Sequence, residues 1–199
     1  MVITYQGGNY VKVTAGSLTF LVDPSDERSF RGAKFVVFTE HPAPLLQGKN
    51  DAATFFLREP LLIDRPGEYE VEGIRITGYP FSTTEGVAKI AYRIIMENIT
   101  LAFLGHLTKL PDQKIVGALG GADILFIPGG GAPWLNEPDA AKLVRQLEPG
   151  IVVPTLLTKK TCESFVKELG AKITAPAEKL VVKKKDITPK AMTVVCLAA

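Results

Sequence analysis

Two continuous apolar runs constrain this chain more than any other feature, Phe35–Thr39 and Ile124–Pro128, with further strands expected at Ile99–Leu104 and Ile151–Pro154. Each is too short to be a stable buried helix. A strand with one wet face alternates apolar and polar residues, whereas a continuous run marks a strand covered on both faces. The chain must therefore supply two covers for each of these strands. Part of the cover is visible as helical spacing. Glu137–Leu147 puts Ala140, Leu143, Val144 and Leu147 on one face, and Thr161–Leu169 does the same with Phe165, Val166 and Leu169 before Gly170. Asp112–Leu119 reads as a third, shorter amphipathic helix ended by Gly120-Gly121.

The rest of the chain is strand-rich. Val2–Tyr5 is a short β run, and Tyr10–Thr14 and Ser17–Val22 alternate on either side of Gly16, which predicts a hairpin. Phe55–Leu57 and Leu61–Ile63 are short apolar pieces, and Arg65-Pro66-Gly67-Glu68 reads as a turn. Tyr69–Gly73 leads into a strand at Ile74–Thr77. Further strands are expected at Ile90–Met96, Lys179–Val182 and Met192–Leu197. Strands followed by helices, in two loosely similar halves, favour an α/β fold with a four-layer αββα sandwich over an all-β sandwich. A chain of 199 residues with 46% apolar residues supports one domain across 1–199.

Charge and cysteine content exclude several functions. The formal net charge is +2, which gives no concentrated basic face for releasing counterions from a nucleic acid. The single basic run, Lys183-Lys184-Lys185, reads as a solvated turn. No apolar stretch approaches the roughly 20 residues of a membrane span, and the first residues lack a basic segment followed by an apolar one. Cys162 and Cys196 form no CxxC pair and no disulfide framework. The expectation is a cytoplasmic protein with neither nucleic-acid nor membrane partners.

An ordered set of short motifs carries a family resemblance. The opening Ile3-Thr4-Tyr5-Gln6-Gly7-Gly8-Asn9 precedes a strand pair that ends in Leu21-Val22-Asp23-Pro24. Ile63-Asp64-Arg65-Pro66-Gly67-Glu68-Tyr69 contains a Pro-Gly-Glu-Tyr step. Asp123-Ile124-Leu125-Phe126-Ile127-Pro128-Gly129-Gly130 is a strand entering glycines. Leu147-Glu148-Pro149 leads into Ile151–Pro154. Together these resemble the metallo-β-lactamase superfamily, most of all its compact branch of L-ascorbate-6-phosphate lactonase-like hydrolases. The resemblance covers about residues 2 to 157. It implies an αββα fold, a two-zinc hydrolytic site and self-association into a homo-oligomer.

The departures fall on the metal ligands. The family loop His-x-His-x-Asp-His corresponds to Glu40-His41-Pro42-Ala43-Pro44-Leu45. Glu40 stands for the first His, Pro42 for the second, Pro44 for the Asp and Leu45 for the last His. His106 replaces the Asp expected after Gly105. Thr155 and Leu156 stand where the final His should follow Pro154, and the early Gly-His step reads Gly7-Gly8. Zinc needs imidazole, thiolate or carboxylate donors and an open position for water. Pro42 and Leu45 offer none, so no resident metal or other cofactor is expected.

Two readings follow. In the first, the fold is kept and the metal site is lost, leaving a non-catalytic cleft for a small phosphorylated or carbohydrate ligand, or a scaffold. In the second, Glu40, His41 and His106 converge on one zinc ion, with Asp64 as a further oxygen, and a metal-bound hydroxide attacks an ester, lactone or phosphoester. The candidate cleft residues are Glu40, His41, Asp64 and His106. The bland alternatives are a loop residue for His41 and a strand-end cap for His106. Gly129-Gly130-Gly131 lacks a following Lys-Ser/Thr and reads as a close-packed strand end rather than a phosphate loop. Trp134 either lines the mouth of a pocket or covers the core. Cys162 and Ser164 have no histidine nearby in sequence, so no nucleophile is assigned.

Overall fold

The computed structural model describes residues 1–46, 60–84, 86–157, 161–172, 175–188 and 191–199. In chain order its strands are β1 (Val2–Tyr5), β2 (Val11–Ala15), β3 (Leu18–Val22), β4 (Phe35–Val37), β5 (Glu40–His41), β6 (Leu61–Ile63), β7 (Gly67–Val71), β8 (Ile74–Thr84), β9 (Val87–Met96) and β10 (Ile99–Phe103). Helix α1 (Gln113–Leu119), β11 (Ile124–Pro128), α2 (Glu137–Leu147), β12 (Ile151–Thr155), α3 (Thr161–Glu168), β13 (Leu180–Val181) and β14 (Thr193–Val194) complete the set. Two sheets result. One has the order β13-β1-β2-β3-β4-β6. The other has the order β14-β12-β11-β10-β9-β8-β7, with β5 joined to β9.

The layers follow from the burial periods. In β2, Val11, Val13 and Ala15 are buried while Lys12 is exposed, so one face turns inward. That face meets the other sheet in a core containing Phe20, Phe35, Ile90, Ile94, Phe103 and Phe126. β11 and β12 are buried at every position. Their second face packs under the helices, with Leu125, Ile127 and Val152 against Leu119, Leu143, Val144 and Phe165. The caps are local. Asp112 accepts from the Ile115 amide at 2.9 Å to start α1, and Asn136 accepts from the Asp139 amide at 2.9 Å to start α2. All three described helices thus lie on the eight-stranded sheet. The outer face of the six-stranded sheet carries Leu21, Ala33, Val36 and Phe38 under Phe30 and Leu45.

Strand direction decides where function can sit. β3, β4 and β6 run parallel, as do β10, β11 and β12. Their C-terminal ends open towards one another, which is where α/β sheets generally receive ligands. Asp23, Thr39, Asp64, His106, Gly129 and Leu156 each lie within three residues of such an end.

Several expectations need correction. The short apolar piece Phe55–Leu57 lies outside the described residues. Cys162 and Cys196 are joined as a disulfide with their Cα atoms 6.7 Å apart, because the start of α3 packs against the C-terminal segment over β12. The basic run is exposed at all three lysines, and Lys184 in addition bonds both oxygens of Asp123, at 2.7 and 2.6 Å. The two-residue strand β5 was not expected, and it proves central to the site. Among the described residues, no helix is long and apolar enough to cross a membrane.

Candidate functional site

The site begins where the chain changes sheets. β4 belongs to the six-stranded sheet, and the Phe38 amide still bonds Ile63 O at 2.8 Å. One residue later the Ile90 amide bonds Thr39 O at 2.9 Å, so the chain has joined the other sheet. β5 then pairs with β9, with Glu40 opposite Lys89 and His41 opposite Ala88. Directly opposite residues share a face and their side chains meet. Lys89 Nζ accordingly donates to Glu40 Oε1 in a close ion pair whose side chains are 9% and 15% exposed. Successive strand residues point to opposite faces. His41 therefore turns away from Glu40 and bonds Asp64 Oδ2 through Nδ1 at 2.8 Å.

Behind Glu40 lies a chain of hydrogen bonds that joins both sheets. Thr155, fully buried, donates to Asn9 Oδ1 at 2.8 Å. Asn9 Nδ2 donates to Asp23 Oδ2. Thr39 donates to the same carboxylate twice, from its amide at 2.8 Å and its hydroxyl at 2.6 Å. His106 Nδ1 lies 2.8 Å from the Thr39 hydroxyl oxygen. A hydroxyl has one proton, and Thr39 gives it to Asp23, so Nδ1 of His106 is the donor to Thr39. Burial raises the Asp23 carboxyl above its ordinary value, with His106 and the Thr39 and Asn9 hydrogen bonds acting in the opposite sense.

Glycines make this packing possible. Gly105 has φ +51, and a Cβ there would overlap the Thr39 side chain. Gly130 lies so close to the Leu156 carbonyl oxygen that a Cβ would overlap it too. The glycine loop after β11 is thus a close-packing device, as expected from its missing Lys-Ser/Thr. The Trp134 ring stands edge-on to His106 with centroids 4.9 Å apart, and Lys89 Nζ lies 5.8 Å from the Trp134 ring centroid. Trp134 thus packs beside His106 and Lys89, next to the site.

The open space is a cleft of about 210 Å³ bordered by Asn9, Asp23, Pro24, Ser25, Phe38, Glu40, Pro44, Leu45 and His106. Of the four residues expected to form the cleft, Glu40 and His106 come together, with His106 Nδ1 4.0 Å from Glu40 Oε1. Asp23 Oδ2 is 3.7 Å from the same nitrogen. His41 and Asp64 form a separate pair. Among the described residues, no group of three or more His, Cys, Asp or Glu side chains is gathered to hold a metal ion. Asn9, Thr39, Lys89 and Thr155 were not anticipated. Thr39 and Thr155 carry a signal, a polar residue ending an unbroken apolar run. Lys89 carries a weaker one, a charge immediately before the expected strand Ile90–Met96.

Comparison with known proteins settles the lineage. Residues 2–156 match the profile of the beta-lactamase superfamily domain. The chain belongs to the metallo-β-lactamase superfamily. No curated protein matches the chain. A proposed zinc-dependent hydrolase of this superfamily from Thermotoga maritima is 22% identical, with a TM-score of 0.75 over 98% of this chain and 97% of that one. The metallo hydrolase Igni18 from Ignicoccus hospitalis is 15% identical, with a TM-score of 0.65 over 92% and 99%. The metallo-β-lactamase fold protein YhfI from Bacillus subtilis is 14% identical, with a TM-score of 0.64 over 99% and 96%. At these identities the structures establish the shared metallo-β-lactamase fold.

Proposed function

We propose that this chain is a metal-free member of the superfamily whose cleft binds a small ligand without hydrolysing it. The observation that carries the reading is that, among the described residues, the candidate donors do not gather at one point. Glu40 is held by Lys89, His106 Nδ1 by Thr39, and His41 by Asp64. Pro42 and Leu45 have no donor atom where the superfamily's ligand loop falls. A catalytic zinc takes about three protein ligands and keeps a position for water. The residues present do not fit that ion, so no hydrolytic step is derived through it.

What remains is a recognition site of modest size. His106 offers its second ring nitrogen, Ser25 offers a hydroxyl, and Phe38, Pro44 and Leu45 offer apolar contact. A small phosphorylated or carbohydrate molecule suits such a mixed wall. The names of the similar structures, hydrolases among them, speak for a hydrolytic ancestry of the cleft rather than for this chain's activity.

Elemental analysis of protein purified without chelator tests the reading. The expected result is no stoichiometric zinc, manganese or iron, and no metal-dependent hydrolysis of ester, lactone or phosphoester probes. One equivalent of metal that disappears in a His41→Ala, His106→Ala double variant would overturn it and favour a mononuclear hydrolase.

A further inference from the structure

Lys89 is an unusual residue for its position. It is 7% exposed, sits in a central strand of the eight-stranded sheet, and is followed by three buried side chains, Ile90, Ala91 and Tyr92. Lysine is almost never buried unless paired. Its pair is fixed by backbone register, Glu40 opposite Lys89 across β5 and β9, so the contact is built into the sheet. Trp134 closes the other side of the ammonium. Glu40, moreover, stands where the superfamily's ligand loop begins. Its carboxylate and that of Asp23 both lie within 4.0 Å of the same imidazole nitrogen.

The largely buried Glu40 carboxylate requires a positive charge beside it, since an unpaired buried charge is strongly disfavoured. In a metal-bearing relative that charge would come from the ion. Here a covalently attached ammonium supplies it. We propose that Lys89 is the resident cation of this cleft, doing the electrostatic work of the lost metal and closing the site to divalent ions. This inference rests on the metal-free reading and names the device that maintains it. Its consequence is a latent cation site: with the ammonium removed and its volume vacated, Glu40 and His106 recruit a divalent cation.

The experiment uses the full chain in four forms: wild type, Lys89→Ala, Glu40→Gln/Lys89→Ala and Glu40→Gln/Lys89→Met. Zn²⁺ and Mn²⁺, each alone, are titrated by calorimetry and by thermal melting. The expected result is that Lys89→Ala binds one divalent ion about tenfold or more tighter than wild type. Its melting temperature should rise with the ion, as mass action requires. Glu40→Gln/Lys89→Ala should lose that gain. A folded Lys89→Ala protein that binds no more cation than wild type overturns the proposal, as does a gain that survives Glu40→Gln.

If Lys89→Ala does not fold in metal-free buffer, folding restored by Zn²⁺ or Mn²⁺ supports the proposal, and failure of both ions to restore it overturns it. Glu40→Gln/Lys89→Met removes both charges and keeps the volume. It is expected to fold with a melting temperature close to wild type, whereas its failure to fold would assign Lys89 to packing and overturn the charge role. A stoichiometric metal in the wild-type protein is a separate outcome: it refutes the metal-free reading directly, whatever the variants do.

Discussion

The space between the two sheets and the floor of the cleft are a few residues apart, yet they are held together by different physics. Between the sheets, Phe20 stacks on Phe35 with centroids 4.8 Å apart, meets Phe103 edge-on at 6.2 Å, and Phe103 stacks on Phe126 at 4.3 Å. Burial of this kind is non-directional and scales with area, so many side chains of similar volume satisfy it. On the cleft floor, Thr155, Asn9, Asp23, Thr39 and His106 form a directed chain in which each donor has one acceptor. Here an error of identity leaves a buried polar group without a partner. The fold can therefore persist through wide sequence change while the site is rebuilt by a handful of substitutions. On the metal-free reading proposed above, Glu40, Pro42, Leu45 and His106 are such positions in this chain.

The comparison predicts unequal penalties. The largest is expected in the inter-sheet space, where Phe20→Ala removes a fully buried ring and should cost about 3–5 kcal/mol by urea denaturation. The His106 ring resonances should be little changed in the folded fraction. A Phe20→Ala loss smaller than that of the polar variants below would break the distinction. Next comes Gly105→Ala. The residue has φ +51 and its new methyl would overlap Thr39. Strain and overpacking together should cost about 2–3 kcal/mol. Unlike Phe20→Ala, it should shift the His106 resonances, because Thr39 must move to make room.

The same contrast explains what was legible in the sequence. Apolar pattern located β11 and α2 at their observed bounds, because burial patterning is a property of neighbouring residues. Spacing also brought out Glu40 and His106, through the motif they interrupt. It could not expose Lys89, whose partner lies 49 residues away and is chosen by the register of a two-residue strand. Nor could it reveal that His41 and Glu40 diverge, since that depends on β5 being a strand at all. Asn9 and Thr155, 146 residues apart, meet only because β12 ends beside the turn after β1. Ordinary polar residues that work through distant partners leave no local pattern. Cys162 and Cys196 are a further case, joined through packing of α3 on the C-terminal segment.

Smaller effects sharpen the comparison within the polar set. Asn9→Ala strands the Thr155 hydroxyl and withdraws a donor from Asp23, both well buried. A loss of about 1–3 kcal/mol is expected in thermal or urea unfolding. His41→Ala breaks a pair that is about a third exposed on the histidine side, so the loss should be within about 1 kcal/mol. If His41→Ala proved as costly as Asn9→Ala, the His41–Asp64 pair would belong to the structural network rather than to the rim.

The smallest expected effect is a pH dependence that isolates Asp23. Burial raises this carboxyl above its ordinary value of 3.8, so the folded protein holds the proton more tightly than the unfolded chain. Folding then favours the protonated form. The contribution of Asp23 to stability is full below the ordinary value and is lost as pH rises through the raised one. Other carboxylates have their own slopes, but these cancel in the difference between wild type and Asp23→Asn. Asparagine cannot accept from all three donors that Asp23 serves, so the variant should be less stable throughout. The gap between the two proteins should narrow as pH is raised from 3.8 into the weakly acidic range, measured by urea unfolding at a series of pH values. A gap that widens over that range would mean that the Thr39 and Asn9 hydrogen bonds and His106 outweigh burial. The carboxylate would then be a source of stability in its ionised form, and the polar floor would stabilise the fold through charge where the inter-sheet space does so through area.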